Sequence, residues 1–175
     1  MHRIVNIAGN DNNDDILIQQ PRADCLFITS VKADINIISD ILSKKKESCL
    51  YDNLRALYIS SLDTPAKIDH YFNKTVNYAK LVIIRLFGDK GTWSYGLEKL
   101  EIWKKKQGRI LLILSGTENE DLSLNEISSI NTNESIKISK LLRAGGIENY
   151  SRFINYLEFL HEYKTIPPNL LDRKT

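Results

Sequence analysis

Apolar residues along this chain gather into five short runs, at 2–7, 25–29, 54–60, 81–87 and 110–114, each bounded by polar clusters. Near-continuous hydrophobicity over so few residues predicts strands buried on both faces, as in a parallel sheet. Helical periodicity fills the gaps between them. Residues 33–46 repeat Ile35, Ile38, Ile41 and Leu42 on one face and end in Lys44, Lys45 and Lys46. The next helix opens on Thr64 as N-cap, with Pro65 in the first turn, where a missing N–H costs nothing. Its apolar stripe is Ile68, Tyr71, Phe72, Val76, Tyr78 and Ala79. A third helix runs from about Trp93 to Gln107, turns Leu97, Leu100 and Trp103 inward, and stops at Gly108. The cations Lys104 to Lys106 near its C-terminal end complement the helix dipole.

After the fifth run the alternation ceases. Residues 115–123 read as a polar, acidic loop, followed by helices at about 133–144 and 148–163 that are separated by Gly145 and Gly146. The last helix places Tyr150, Phe153, Ile154, Leu157 and Leu160 on one stripe, and Pro167 and Pro168 then end regular structure. Strand–helix alternation with crossovers of helical length defines an α/β fold. The expectation is an open, mostly parallel five-stranded sheet flanked by helices, flavodoxin-like or Rossmann-like, with two extra C-terminal helices. Residues 1–166 form one domain in this reading, and 167–175 a tail or truncated linker.

The 175 residues suffice for one domain with a core of its own. Hydrophobic residues make up 42% and charged ones 26%, a globular balance, and 24 basic against 22 acidic residues leave +2. So small a charge gives no argument for nucleic acid as a partner. The longest purely aliphatic run, 110–114, falls far short of the roughly 18 residues that cross a bilayer. Cys25 and Cys49 belong to no C-x-x-C and read as free thiols of a reducing cytosol, which makes the expected location cytoplasmic.

Ligands of open α/β sheets bind beyond the carboxyl ends of the strands. The first loop there, Gly9 to Asp15, carries three carboxylates that would repel a phosphate, and no G-x-G-x-x-G occurs anywhere. As a calcium loop it fails, because Ile16 and Arg22 stand where glycine and glutamate are required. A phosphoacceptor receiver domain is excluded because Ser60–Ser61 and Ser115–Gly116 occupy the places of its aspartate and lysine. His2, His70 and His161 share no ligand spacing, and Glu158 with His161 supplies only one of the carboxylate–imidazole pairs that a di-iron bundle needs. No catalytic residue and no metal ligand is therefore assigned.

The most unusual stretch is 85–96, Arg-Leu-Phe-Gly-Asp-Lys-Gly-Thr-Trp-Ser-Tyr-Gly. An arginine late in a buried strand must find an anion or carbonyls for its guanidinium. Trp93 and Tyr95 follow at the start of a helix on the ligand-facing edge. Two readings stand side by side: a structural elbow with aromatic anchors, or a recognition surface for a flat ligand or a partner domain.

Several segments in order, 54–57, 64–71, 79–88 and 93–98, together with the glycine-broken pair 141–149 and 153–157, resemble the N-terminal region of the cobaltochelatase large subunit, of the cobaltochelatase and magnesium-chelatase large-subunit family. The resemblance implies a place in cobalamin biosynthesis, where an ATP-dependent complex inserts cobalt into a corrin-type tetrapyrrole and a partner AAA-type ATPase hydrolyses the ATP. It implies other chelatase subunits as partners, a tetrapyrrole precursor as ligand, and no cofactor held by this chain itself. The chain is expected to be an N-terminal domain or truncated form that is not catalytically competent alone. Its ligand- or partner-binding residues would be Arg85, Gly88, Trp93, Tyr95 and Gly96, with Arg85 holding a peripheral carboxylate or amide and Trp93 offering a stacking face. Gly145 and Gly146 would form the structural break between helices. The rival expectations are a non-catalytic assembly module that docks on other chelatase chains, and an unrelated flavodoxin-like domain for a small ligand.

Overall fold

A computed structural model describes residues 7–8, 17–116 and 122–163. Four strands form the body of one parallel sheet: β2 (Cys25–Thr29), β3 (Leu54–Tyr58), β4 (Leu81–Leu86) and β5 (Ile110–Ser115). The strand expected at 2–7 enters the sheet as the two-residue β1 (Ile7–Ala8), paired with Ala56 and Leu57 at the outer edge of β3. The rest of that run, like the acidic loop 9–15 and the segment 167–175, lies outside the described residues. The spatial order is β1-β3-β2-β4-β5. Counted from β2, the four long strands follow the 2-1-3-4 order of flavodoxin-like folds.

That order explains which helix covers which face. The chain steps from β2 to β3 through α1 (Lys32–Ser43), then crosses back past β2 to β4 through α2 (Pro65–Lys74), and on to β5 through α3 (Ser94–Trp103). Parallel crossovers keep one hand, so reversing direction moves the helix to the opposite face. Alternate strand residues sort accordingly. Phe27, Ala56, Ile83 and Leu112 pack with α1 and two later helices, α5 (Thr132–Ala144) and α6 (Ile147–Tyr163). Leu26, Leu57, Val82, Ile84 and Ile113 pack with α2 and α3.

Helix ends differ modestly from expectation, for local reasons. Thr64 caps α2 as expected, its Oγ1 accepting the Lys67 N–H at 3.3 Å. The helix stops at Lys74, however, and a 3-10 turn over Val76–Tyr78 leaves Tyr78 half exposed under the Arg22 guanidinium. At the other end of the domain, Gly145 (φ 74°) and Gly146 (φ 89°) both adopt the left-handed region that favours glycine, which ends α5 and restarts the chain as α6.

A short helix, α4 (Leu122–Ile127), begins at the end of the expected 115–123 loop and fills residues to which sequence patterning assigned no element. It delivers Ser128 and Ser129 alongside β5. The Ser129 hydroxyl accepts the Leu111 N–H at 2.9 Å, the Ser128 hydroxyl accepts the Ile113 N–H at 3.2 Å, and the Ser129 N–H donates to Leu111 O at 2.7 Å. The free edge of β5 is thereby covered. Among the described residues no helix is long and apolar enough to cross a membrane.

Phe153 of α6, fully buried, meets Phe27 of β2 with ring centroids 5.7 Å apart. Phe153→Ala is expected to cost about 3–5 kcal/mol, read from the midpoint shift in urea denaturation.

Candidate functional site

β2 is the point at which the strand order reverses, and the crevice of an open α/β sheet lies beyond the carboxyl ends of the strands at such a point. Here the α2–α3 face opens into a pocket of about 400 Å³, lined among others by Ser30, Leu62, Thr64, Thr92, Trp93 and Tyr95. Ligand pockets span roughly 300–1,000 Å³. This one falls within that range.

The elbow at 85–96 builds one wall. Gly88 has φ +104°, and a Cβ added there would lie 2.4 Å from Thr92 Oγ1, so both backbone and space demand glycine. Asp89 Oδ1 then accepts the Gly91 N–H at 3.0 Å and shapes the 3-10 turn Lys90–Trp93. Trp93 is only 7% exposed and its Nε1–H donates to Leu62 O at 3.1 Å. Its ring lies against Gly96, where an added Cβ would come within 2.3 Å of a ring carbon. Trp93 is thus a buried anchor between the elbow and the turn after β3, and the stacking face expected of it is covered.

The exposed aromatics of this edge are its neighbours. Tyr95, 37% exposed, donates its hydroxyl to Asp69 Oδ1 at 2.5 Å, and Lys99 Nζ donates to the same oxygen at 2.6 Å. Lys99 and then Tyr95 hold the Asp69 carboxyl below its ordinary range, and the bond to Asp69 raises the Tyr95 phenol. Phe87, 44% exposed, is a residue that sequence reasoning did not single out. Its N–H donates to Ser30 Oγ at 3.1 Å, and its ring occupies the space over Gly116 that a Cβ would need.

Arg85 does not face the pocket. It alternates with Leu86 and points to the α1–α6 face, where Nη1 donates to Asp34 Oδ1 at 2.8 Å and Oδ2 at 3.0 Å, and to the Tyr150 hydroxyl at 3.2 Å. The Tyr150 hydroxyl in turn donates to Asp34 Oδ1, and Thr29 Oγ1 donates to Asp34 Oδ2 at 2.7 Å. Asp34 is fully buried, and Arg85 and Tyr150 are each 4% exposed. The anion that the sequence demanded is therefore internal. Burial, followed by the bond to Asp34, pushes the Tyr150 phenol up to about 12. The guanidinium is only partly satisfied, since Nε is buried with no hydrogen-bond partner among the described residues, at a cost of about 1–3 kcal/mol or more.

Asp34 and Tyr150 were missed as chemistry because each sat inside a helical pattern. The available signal was an aspartate in the first turn of a helix directly after a strand, where a carboxylate meets the positive end of the dipole. Gly145 and Gly146 lie on this face, ahead of Tyr150, and an added Cβ at either would meet nothing within 4 Å.

The remaining candidates are held apart in structural pairs. Glu158 binds Lys45 Nζ and accepts from Ser48 Oγ at 2.5 Å, whereas His161 Nε2 lies 3.1 Å from Asp24 Oδ2. Burial raises both thiols, Cys25 far beyond the ordinary range and Cys49, with the nearby Glu162 and Glu158, up to about 11. Among the described residues, no three His, Cys, Asp or Glu side chains gather as a metal site.

Fold and site together define a parallel α/β domain whose strand reversal carries a small pocket on one face and a buried ion-pair network on the other. No known family model matches the chain. It is 25% identical over 158 residues to the aerobic cobaltochelatase subunit CobN of a Sinorhizobium species, covering 89% of this chain and 12% of that protein. It is 27% identical over 107 residues to the same-named subunit of Pseudomonas aeruginosa, covering 61% of this chain and 8% of that protein. The solved catalytic subunit of cobaltochelatase from Mycobacterium tuberculosis shares the fold, with a TM-score of 0.57 and 19% identity over 83% of this chain and 11% of its own. The resemblance to the cobaltochelatase large subunit thus holds over most of this chain, which spans 12% or less of the curated relatives it matches.

Asp34→Asn is expected to destabilise the fold by about 3–5 kcal/mol, because it strands the Arg85 charge. Gly96→Ala should cost about 1–3 kcal/mol by overpacking the Trp93 ring, although alanine is the better helix former. Denaturant titration reads both. Tyr150, raised above its unfolded value near 10, contributes stability that is complete below about pH 10 and is lost as pH rises to about 12. Tyr150→Phe should flatten that part of the stability–pH curve.

Proposed function

We propose that this chain works as the N-terminal module of a cobaltochelatase-type large subunit, with residues 1–166 as one domain and 167–175 as a linker, in the insertion of cobalt into a corrin-type tetrapyrrole. Cobalt and the tetrapyrrole are substrates of the complex in this reading, and an AAA-type ATPase partner hydrolyses ATP. The observation that carries it is the similarity to two CobN subunits, which extends over 158 residues in one of them.

The module's own contribution is docking rather than chemistry. Metal insertion calls for groups that take up protons and hand over a metal. The titratable groups described above are tied into structural pairs, and both thiols are poorly disposed to ionise. Meanwhile Tyr95 stands half exposed at the lining of a cavity of about 400 Å³, and Phe87 is exposed on the same carboxyl edge over Gly116. Exposed aromatics next to a pocket are the usual anchors of a protein interface. The partner is the remainder of the large subunit, the part of the relatives that this chain does not match.

Isothermal titration of this chain with the remainder of a CobN-type large subunit tests the reading. Stoichiometric binding that weakens at least tenfold in Phe87→Asp, with unchanged thermal stability, is the expected result. No binding by the wild type, or equal binding by Phe87→Asp, would remove the docking role.

A further inference from the structure

We propose that the amino end of the sheet, on the α2–α3 face, is a docking surface for an acidic segment of a partner protein. The register sets the entries of β2, β4 and β5 side by side. Arg22 stands ahead of β2, Lys80 ahead of β4 and Arg109 ahead of β5. Two helices deliver their C-terminal ends to the same place, α2 closing on Lys74 and α3 leading into the exposed Lys105 and Lys106. Hydrogen bonds tie these segments together. Arg22 Nε donates to Lys74 O at 3.4 Å, and Arg109 donates to Trp103 O at 2.9 Å and to Asn77 O at 2.8 Å. The carboxylates of the flanking elements have other partners: Asp24, which also feels the Lys80 charge, binds His161 and Asn53, and Glu101 lies 3.8 Å from Lys90.

Helix dipoles account for cations at helix C-terminal ends. They do not account for Arg22, Lys80 and Arg109, which stand at strand entries, where the dipole is small. The whole chain carries only +2, so the concentration of positive charge sets this end apart from the rest of the molecule. Arg22 is the best prepared of the group. Its Cζ lies 3.4 Å from the centroid of the Tyr78 ring while Lys74 O holds Nε, which fixes the plane of the guanidinium. The Nη pair, bonded to no described residue, is then a rigid fork that matches the two oxygens of a carboxylate.

The neighbours select the class of partner. Tyr78 is 50% exposed and Ile102, in the last turn of α3, 68%, so a segment that carries apolar side chains among its carboxylates gains contact beside the charges. A nucleic acid fits less well. One face of Tyr78, on which a base would stack, is taken by Arg22, and a chain of +2 lacks the long-range field that draws a polyphosphate. The surface lies at the opposite end of the strands from Phe87 and Tyr95. It therefore does not depend on the docking proposed there, and either can fail alone.

The test is a titration of the ¹⁵N-labelled full chain, at low salt, with a synthetic peptide of Glu-Glu-Leu repeats, followed through the backbone amides. Saturable shifts confined to residues 22–24, 74–80 and 102–110 are expected. Arg22→Gln with Lys80→Gln should bind roughly tenfold more weakly, as two exposed charge-assisted contacts are lost. Lys105→Gln with Lys106→Gln, in an exposed turn, is the second variant and should weaken binding likewise. Lys32→Gln with Lys90→Gln removes the same charge at the carboxyl edge and should bind as the wild type does. No saturable shift, undiminished binding by both amino-end variants, or an equal loss in the carboxyl-edge control overturns the surface. Tighter binding of a short oligothymidylate than of the peptide overturns the acidic protein as its partner.

Discussion

The arrangement of this domain depends on a single charge placed where sheets rarely carry one. Arg85 lies in a strand otherwise made of Leu81, Val82, Ile83, Ile84 and Leu86, all nearly or fully buried. A guanidinium in such surroundings is tolerable only when an opposite charge and further hydrogen bonds meet it. Asp34 meets it from the first turn of α1, Tyr150 from the first turn of α6, and Thr29 steadies Asp34 from β2. The consecutive elements β2 and α1 are thus fixed at the carboxyl edge to β4 and α6, which are distant in sequence. The Ser30 N–H donates to Arg85 O, and Ser30 Oγ receives the Phe87 N–H, so the same pair of strand ends also sets the course of the elbow.

The carboxyl edge consequently has two unlike faces. Over α2 and α3 it is a cavity lined by Tyr95 and the Trp93 indole. Over α1 and α6 it is a buried polar network around a guanidinium. Arg85 has its anion built in, and the Trp93 ring is largely buried against Gly96. Phe87 and Tyr95 are the exposed aromatics of this edge, on either side of the loop that Gly88 permits.

The four long strands were legible because each is a near-continuous apolar run, interrupted only by Arg55 in β3, Arg85 in β4 and the terminal polar residues of β2 and β5. The Thr64–Pro65 helix start and the Gly145–Gly146 break were legible because each rests on local backbone chemistry. What the sequence did not disclose was long-range pairing. Arg85 announces that it needs an anion, but nothing local says that the anion stands 51 positions earlier or that a phenol 65 positions later joins it. Likewise α4 escaped notice because Ser123, Asn125 and Glu126 dilute its apolar residues to Leu124 and Ile127 on the buried side. Trp93 and Tyr95 read alike in sequence, and only their packing separates an anchor from a rim residue.

The serine cover on β5 has a consequence for how such a domain sits within a longer polypeptide. Ser128 and Ser129 answer the strand's backbone groups with hydroxyls and one main-chain pair, so no further strand can be laid beside β5. Additional mass cannot then be added by widening the sheet on that side. On that side it abuts the domain as a neighbour with a seam rather than as an extension of the same sheet. A seam of that kind lets two bodies shift against each other while each keeps its own core.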